Sequence, residues 1–151
     1  MTEAEKQYID LYTEASEAIK EHSAGVMNAV RDRAFEDFRR QGFPTRKVER
    51  YKYTDMEKIF APNYGLNINR IEFPVDPYAA FRCDVPNLST LLYFVVNDAF
   101  YTKRLPNVQP EEGVVIGSLR KAAEEHPELI ARYYARIAKT EEDAIPALNM
   151  K

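Results

Sequence analysis

Three side chains in this 151-residue sequence have soft or borderline metal-ligand chemistry: Cys83, His22 and His126. They stand about sixty and forty residues apart, with no C-x-x-C or H-x-x-x-H spacing. A structural zinc site draws on four closely arranged ligands, and an iron–sulfur cluster on four cysteine thiolates. The expected roles are therefore plain ones. Cys83 is a small hydrophobe or a surface thiol. His126 precedes Pro127 at a helix entrance, and His22 sits near the end of the first helix, where the dipole favours a cation. No metal or cofactor is expected within this segment.

Catalytic patterns are equally sparse. The five glycines are scattered and make no phosphate-binding loop. The acidic pairs Glu111-Glu112, Glu124-Glu125 and Glu141-Glu142 are adjacent residues, and on a helix adjacent side chains diverge by about 100°. They do not form a carboxylate dyad, and the chain is expected not to be an enzyme. One cluster has binding chemistry. Arg39, Arg40, Arg46, Lys47, Arg50 and Lys52 fall within fourteen residues and alternate with Phe43, Tyr51 and Tyr53. Stacked rings and guanidinium groups serve single-stranded nucleic acid, and Tyr and Arg also dominate protein-docking hot spots. A net charge of −3 and the lack of a nucleic-acid motif weigh against nucleic acid. The candidate docking surface is Arg46, Lys47, Arg50, Tyr51, Lys52 and Tyr53, set against the simpler reading of a solvated basic strip.

The length suits one domain with a real core. With 45% hydrophobic and 30% charged residues the composition is that of an ordinary globular protein. A lone cysteine forms no internal disulfide and points to a reducing compartment. The start M-T-E-A-E-K lacks the apolar run of a signal peptide, and no window approaches the roughly 20 apolar residues of a membrane span. A cytoplasmic protein with no membrane partner is expected.

The elements that position these residues follow from periodicity. Ala4, Tyr8, Leu11, Ala15 and Ile19 form one apolar stripe on a helix over 2–21. Glu3, Glu5, Asp10, Glu14, Glu17 and Glu21 make its other face acidic. A break at 23–25 leads to a second helix ending at Gln41, with Met27, Val30, Ala34, Phe35 and Phe38 inward. A short helix is expected at 55–60. Residues 61–90 read as proline-rich loop with one strand near 68–73. The run L-L-Y-F-V-V at 91–96 is β-prone, Asn97-Asp98 suits a hairpin turn, and Ala99-Phe100-Tyr101 returns. Pro110 to Gly113 makes a turn before a strand at 114–116. Ser118 caps a helix to about Glu125. Pro127 starts another, with Leu129, Ile130, Tyr133, Tyr134 and Ile137 inward. Thr140 with Asp143 resembles a further cap. The expected class is α+β in one domain over 1–151: helical 2–60, loop 61–90, β unit 91–117, helical 118–145.

The stretch F-R-R-Q-G-F-P-T-R-K-V-E-R-Y-K-Y-T-D-M-E over 38–57 is the most specific. Gly42 can take a left-handed conformation that closes the helix, with Phe43 folding onto Phe38 in a Schellman ending. Pro44 stops the helix from resuming. A basic-aromatic extended run follows, and Thr54 with Glu57 fits a capping box. This passage resembles the N-terminal signature of the SufB/SufD family of the SUF iron–sulfur assembly system, SufD more than SufB. The shared positions are Gly42, Phe43, Pro44, Thr45, Lys47, Glu49, Tyr51, Lys52, Tyr53 and Thr54, with Tyr51 where the family usually has tryptophan. Further markers come in the family's order: V-V-N-D-A-F at 95–100, P-E-E-G-V-V-I at 110–116 and A-L-N at 147–149. Asp98 stands where glycine is usual.

The resemblance implies an N-terminal domain of a non-catalytic SUF scaffold subunit that would continue into a β-helix. It implies a SufB-like scaffold and a SufC-like ATPase as partners. The cluster ligands of that system lie in the region beyond this one, so the resemblance places none here. Two other readings stand beside it: a stand-alone helical adaptor, and an RNA-binding module using the basic-aromatic run.

Overall fold

Thr2 begins the first helix. Its hydroxyl accepts from the Glu5 N–H at 3.3 Å, and the Glu5 carboxylate accepts from the Thr2 N–H at 2.6 Å, a complete capping box. In the computed structural model, residues 1–65, 74–81, 91–96, 99–103 and 111–151 are described. The strand expected at 68–73, Cys83, the Asn97-Asp98 turn and Pro110 lie outside them.

The helices are α1 (Glu3–Glu21), α2 (Gly25–Gln41), α3 (Met56–Phe60), α4 (Pro77–Ala80), α5 (Leu119–Glu125), α6 (Pro127–Tyr133) and α7 (Ala144–Met150), with a 3-10 turn at Glu49–Tyr51. The strands β1 (Val95–Val96) and β2 (Ala99–Phe100) pair antiparallel, Val95 opposite Phe100 and Val96 opposite Ala99. The fold is α+β and mostly helical, as expected.

The core is built where α1, α2 and α7 meet. Phe38 is fully buried, among Ala4, Phe43, Ala144 and Ala147. Tyr8, Ile9, Met56, Phe60, Ile145 and Leu148 pack around them. The ring of Phe43 meets Phe38 edge-on at 5.3 Å and stacks on Phe60 at 5.1 Å. Small residues at Ala144 and Ala147 let α7 lie close on α2, its principal neighbour. A helix was not expected over 144–150. Asp143 caps it by accepting from the Ile145 N–H at 2.9 Å, and Pro146 falls in its first turn, where a missing N–H does no harm.

The structure corrects several other expectations. On α1, Ala4 and Tyr12 are buried and Tyr8, Leu11, Ala15 and Ile19 are half-buried; the expected stripe left out Tyr12, which faces Phe35 of α2 at 4.5 Å. Residues 46–53 are coiled into turns rather than extended. Asp55, not Thr54, caps α3, accepting from the Lys58 N–H at 3.0 Å; its carboxylate reaches the orphan amide one register later. Thr140 does not cap a helix, and instead donates to Asp37 at 2.6 Å. Of residues 91–96 only the last two pair as strand. Residues 114–116 form no strand and stay exposed, with no partner strand beside them among the described residues. The inner face of α6 is Ile130 with Tyr134, while Leu129, Tyr133 and Ile137 face outward; the chain leaves the helix at Tyr134, so Ile137 is off its face altogether.

Other expectations hold. α2 ends at Gln41, Ser118 caps α5 by accepting from Lys121 N–H at 3.2 Å, and Pro127 opens α6. His22 closes α1 and His126 stands between α5 and α6.

Candidate partner-docking surface

The basic-aromatic segment begins at Gly42, which has φ +64° and ψ −173°. The positive φ is as expected, but this ψ is not left-handed helical, and such backbone is essentially reserved to glycine. The Gly42 N–H closes α2 on the Phe38 carbonyl at 2.8 Å. In a Schellman ending the next amide also bonds back into the helix. Here the Phe43 N–H donates instead to Glu5 Oε1 at 2.8 Å. Glu5 is thus not part of the solvated acidic face. Glu3, Glu14, Glu17 and Glu21 are exposed, and Asp10 is bound to Lys6 at 2.8 Å.

The six candidate residues divide into two sets. Arg50 and Tyr51 bind Asp143, the cap of α7; Tyr51 is half-buried, while the Arg50 side chain stays 73% exposed and reaches the carboxylate from the surface. Arg50 Nη1 donates to Oδ2 at 2.6 Å, and the Tyr51 hydroxyl lies 2.7 and 2.9 Å from the two carboxylate oxygens. Burial pushes the Asp143 carboxyl upward, but the Ile145 amide, the Tyr51 hydroxyl and the Arg50 charge together outweigh it and hold the pKa below the usual value. Burial, then the Asp143 bond, raises the Tyr51 phenol. These groups staple the segment to the C-terminal helix.

The other four make no such long-range bond among the described residues. Arg46 pairs with Asp55 at 3.3 Å, a carboxylate already engaged in capping. Lys52 lies 3.8 Å from Glu49 and 5.6 Å from the centroid of the Tyr53 ring. Tyr53 is 90% exposed and Lys47 is exposed. Lys52 beside this bare ring, with Lys47 exposed on the same segment, leaves a surface that a partner can cover. Beneath it, Asp143 ties the segment to α7 through Arg50 and Tyr51.

Asp143 and Glu5 are the residues that reading the sequence missed. Each is legible locally as a helix-terminal carboxylate; their long-range bonds leave no local signal. Among the described residues no group of three or more His, Cys, Asp or Glu is arranged to hold a metal ion. No described helix is long and apolar enough to cross a membrane.

Comparison with protein families decides the relationship. The model for the SufBD protein N-terminal region matches residues 2–151. The chain belongs to the SufBD family. The match spans Gly42 to Thr54, the paired strands β1 and β2, and α7 with its cap Asp143. The SufBD relationship ties the chain to iron–sulfur cluster assembly by the SUF system. Searches of curated proteins and of solved structures return no match.

Proposed function

We propose that this chain acts as the N-terminal domain of a SufD-like, non-catalytic scaffold subunit in SUF iron–sulfur cluster assembly. The observation that carries the reading is the family match over residues 2–151. The G-F-P-T turn followed by Lys47, Glu49, Tyr51, Lys52, Tyr53 and Thr54 favours the SufD branch. The cluster is cargo of the whole assembly, and this domain supplies architecture: it binds no cofactor and works in the cytoplasm. Its partners are a SufB-like scaffold and a SufC-like ATPase. Arg46, Lys47, Lys52 and Tyr53 form the docking face, with Arg50 and Tyr51 as its internal supports.

The test is co-purification. The protein, tagged and expressed from its native reading frame beside SufB-like and SufC-like proteins of the same host, should elute with them as one complex. Elution of the tagged protein alone would overturn the scaffold reading. The triple reversal Arg46→Glu, Lys47→Glu, Lys52→Glu should weaken the complex while leaving the fold intact. An unaffected complex would remove the strip from the interface.

A further inference from the structure

A cavity of about 340 Å³ lies against α1, α3 and α7, lined among others by Tyr8, Leu11, Tyr12, Phe60, Ile145 and Leu148. Lys151 also lines it. Its Nζ donates to the Tyr8 carbonyl at 2.6 Å and stands 5.8, 5.4 and 5.8 Å from the ring centroids of Tyr8, Tyr12 and Phe38. The rings and one carbonyl offset part of the lost hydration, yet among the described residues no carboxylate pairs with this amine. Burial pushes the Lys151 ammonium down to about 8. Near that pH about half of it is free amine, against under about 1% for a fully solvated lysine. Tyr8 adds a second unfilled group: its hydroxyl is buried and has no hydrogen-bond partner among the described residues.

We propose that Lys151 is an acylation site that takes a short acyl group from a thioester, with the acyl chain seated in this cavity. The amine lone pair attacks the thioester carbonyl. A C–N bond forms, the C–S bond breaks with its electron pair leaving on sulfur, and the proton lost by nitrogen goes to the thiolate. The products are a neutral amide and a thiol. The amide removes a half-buried charge that has no carboxylate partner among the described residues, its carbonyl offers the Tyr8 hydroxyl an acceptor, and Leu11, Ile145 and Leu148 provide apolar walls for the chain.

The experiment incubates the full chain with acetyl coenzyme A at mildly alkaline pH and follows acetylation at each lysine by peptide mass spectrometry. Lys151, whose amine sits beside the cavity that takes the acyl chain, should react at least about tenfold faster than exposed Lys47. The acetylated protein should melt higher than the unmodified one, and Tyr8→Phe, which keeps the ring, should shrink that gain. Labelling of Lys151 no faster than Lys47 overturns the proposal. So does an acetylated protein that melts lower.

Discussion

The Glu5 carboxylate on α1 holds the backbone N–H of Phe43, 38 residues further along the chain, at 2.8 Å. Its other oxygen holds the Thr2 N–H at 2.6 Å. One side chain therefore caps the start of α1 and fixes the turn that ends α2. A Cβ placed on Gly42 would lie 2.9 Å from Glu5 Cδ and nearer still to Oε1. Gly42→Ala meets a forbidden backbone region and displaces this carboxylate. It should cost about 2–4 kcal/mol in urea unfolding. Glu5→Gln keeps one acceptor oxygen and should cost less, about 1 kcal/mol.

Asp143 gives the fold an acid-sensitive joint. Its carboxyl is held below the ordinary value of 3.8. A depressed folded pKa contributes stability that is present above the unfolded pKa and is lost as pH falls through the folded one. Stability should therefore decline below about pH 4. Asp143→Asn should flatten that limb and lower stability at neutral pH by about 1–3 kcal/mol. Denaturant midpoints measured across acid pH check both effects.

Tyr12 acts at the other end of the scale. Burial, followed by its 3.0 Å bond to Asp32, pushes the phenol up to about 12. A raised folded pKa gives stability that is complete below the unfolded value near 10 and disappears as pH rises toward the folded one. Burial also raises the phenols of Tyr8, Tyr51 and Tyr134, so tyrosinate absorbance should show several rings titrating late; Tyr12→Phe should remove the step near pH 12 and leave the others.

Arg31 is buried, and its guanidinium donates to the carbonyls of Met150 at 3.5 Å and Lys151 at 2.7 Å and to Ser23 Oγ at 2.9 Å. It places positive charge at the C-terminal end of α7, where the helix dipole is negative. Arg31→Met leaves those acceptors without a donor and should cost about 2–4 kcal/mol. Hydrogen exchange should show α7 losing protection before α2.

The exposed strip should behave oppositely. Lys47→Glu and Lys52→Glu remove no buried contact, so thermal unfolding should move by no more than about 0.5 kcal/mol equivalent. A larger loss would mean that the strip holds the fold together and is not free to serve a partner.

Much of the helical frame was legible because local rules write it. The end of α2 at Gly42, the Ser118 cap and Pro127 at the head of α6 each depend on residues within one turn. Where a competing local group existed, the cap slipped by a residue, as from Thr54 to Asp55. Strands fared worse. The runs at 91–96 and 114–116 carry strand-like residues, but a strand needs a neighbour, and β propensity measures fit to one. Helix α7 was missed because Pro146 reads as a stop, although a proline in the first turn costs no helix hydrogen bond. Of the candidate docking residues, the sequence could not separate Arg50 and Tyr51 from Lys47, Lys52 and Tyr53.

The sequence by itself determined the family, the α+β class and the ends of α2, α5 and α6 that rest on Gly42, Ser118 and Pro127, because the G-F-P-T turn and these caps are short-range chemistry. Only the tertiary structure decided which charges are free. Asp143 lies about ninety residues from Arg50 and Tyr51, and Glu5 lies 38 from Phe43. Contacts across such separations depend on how α1, α2 and α7 pack, and that packing ties Arg50 and Tyr51 to Asp143 while Lys47, Lys52 and Tyr53 keep only local neighbours among the described residues.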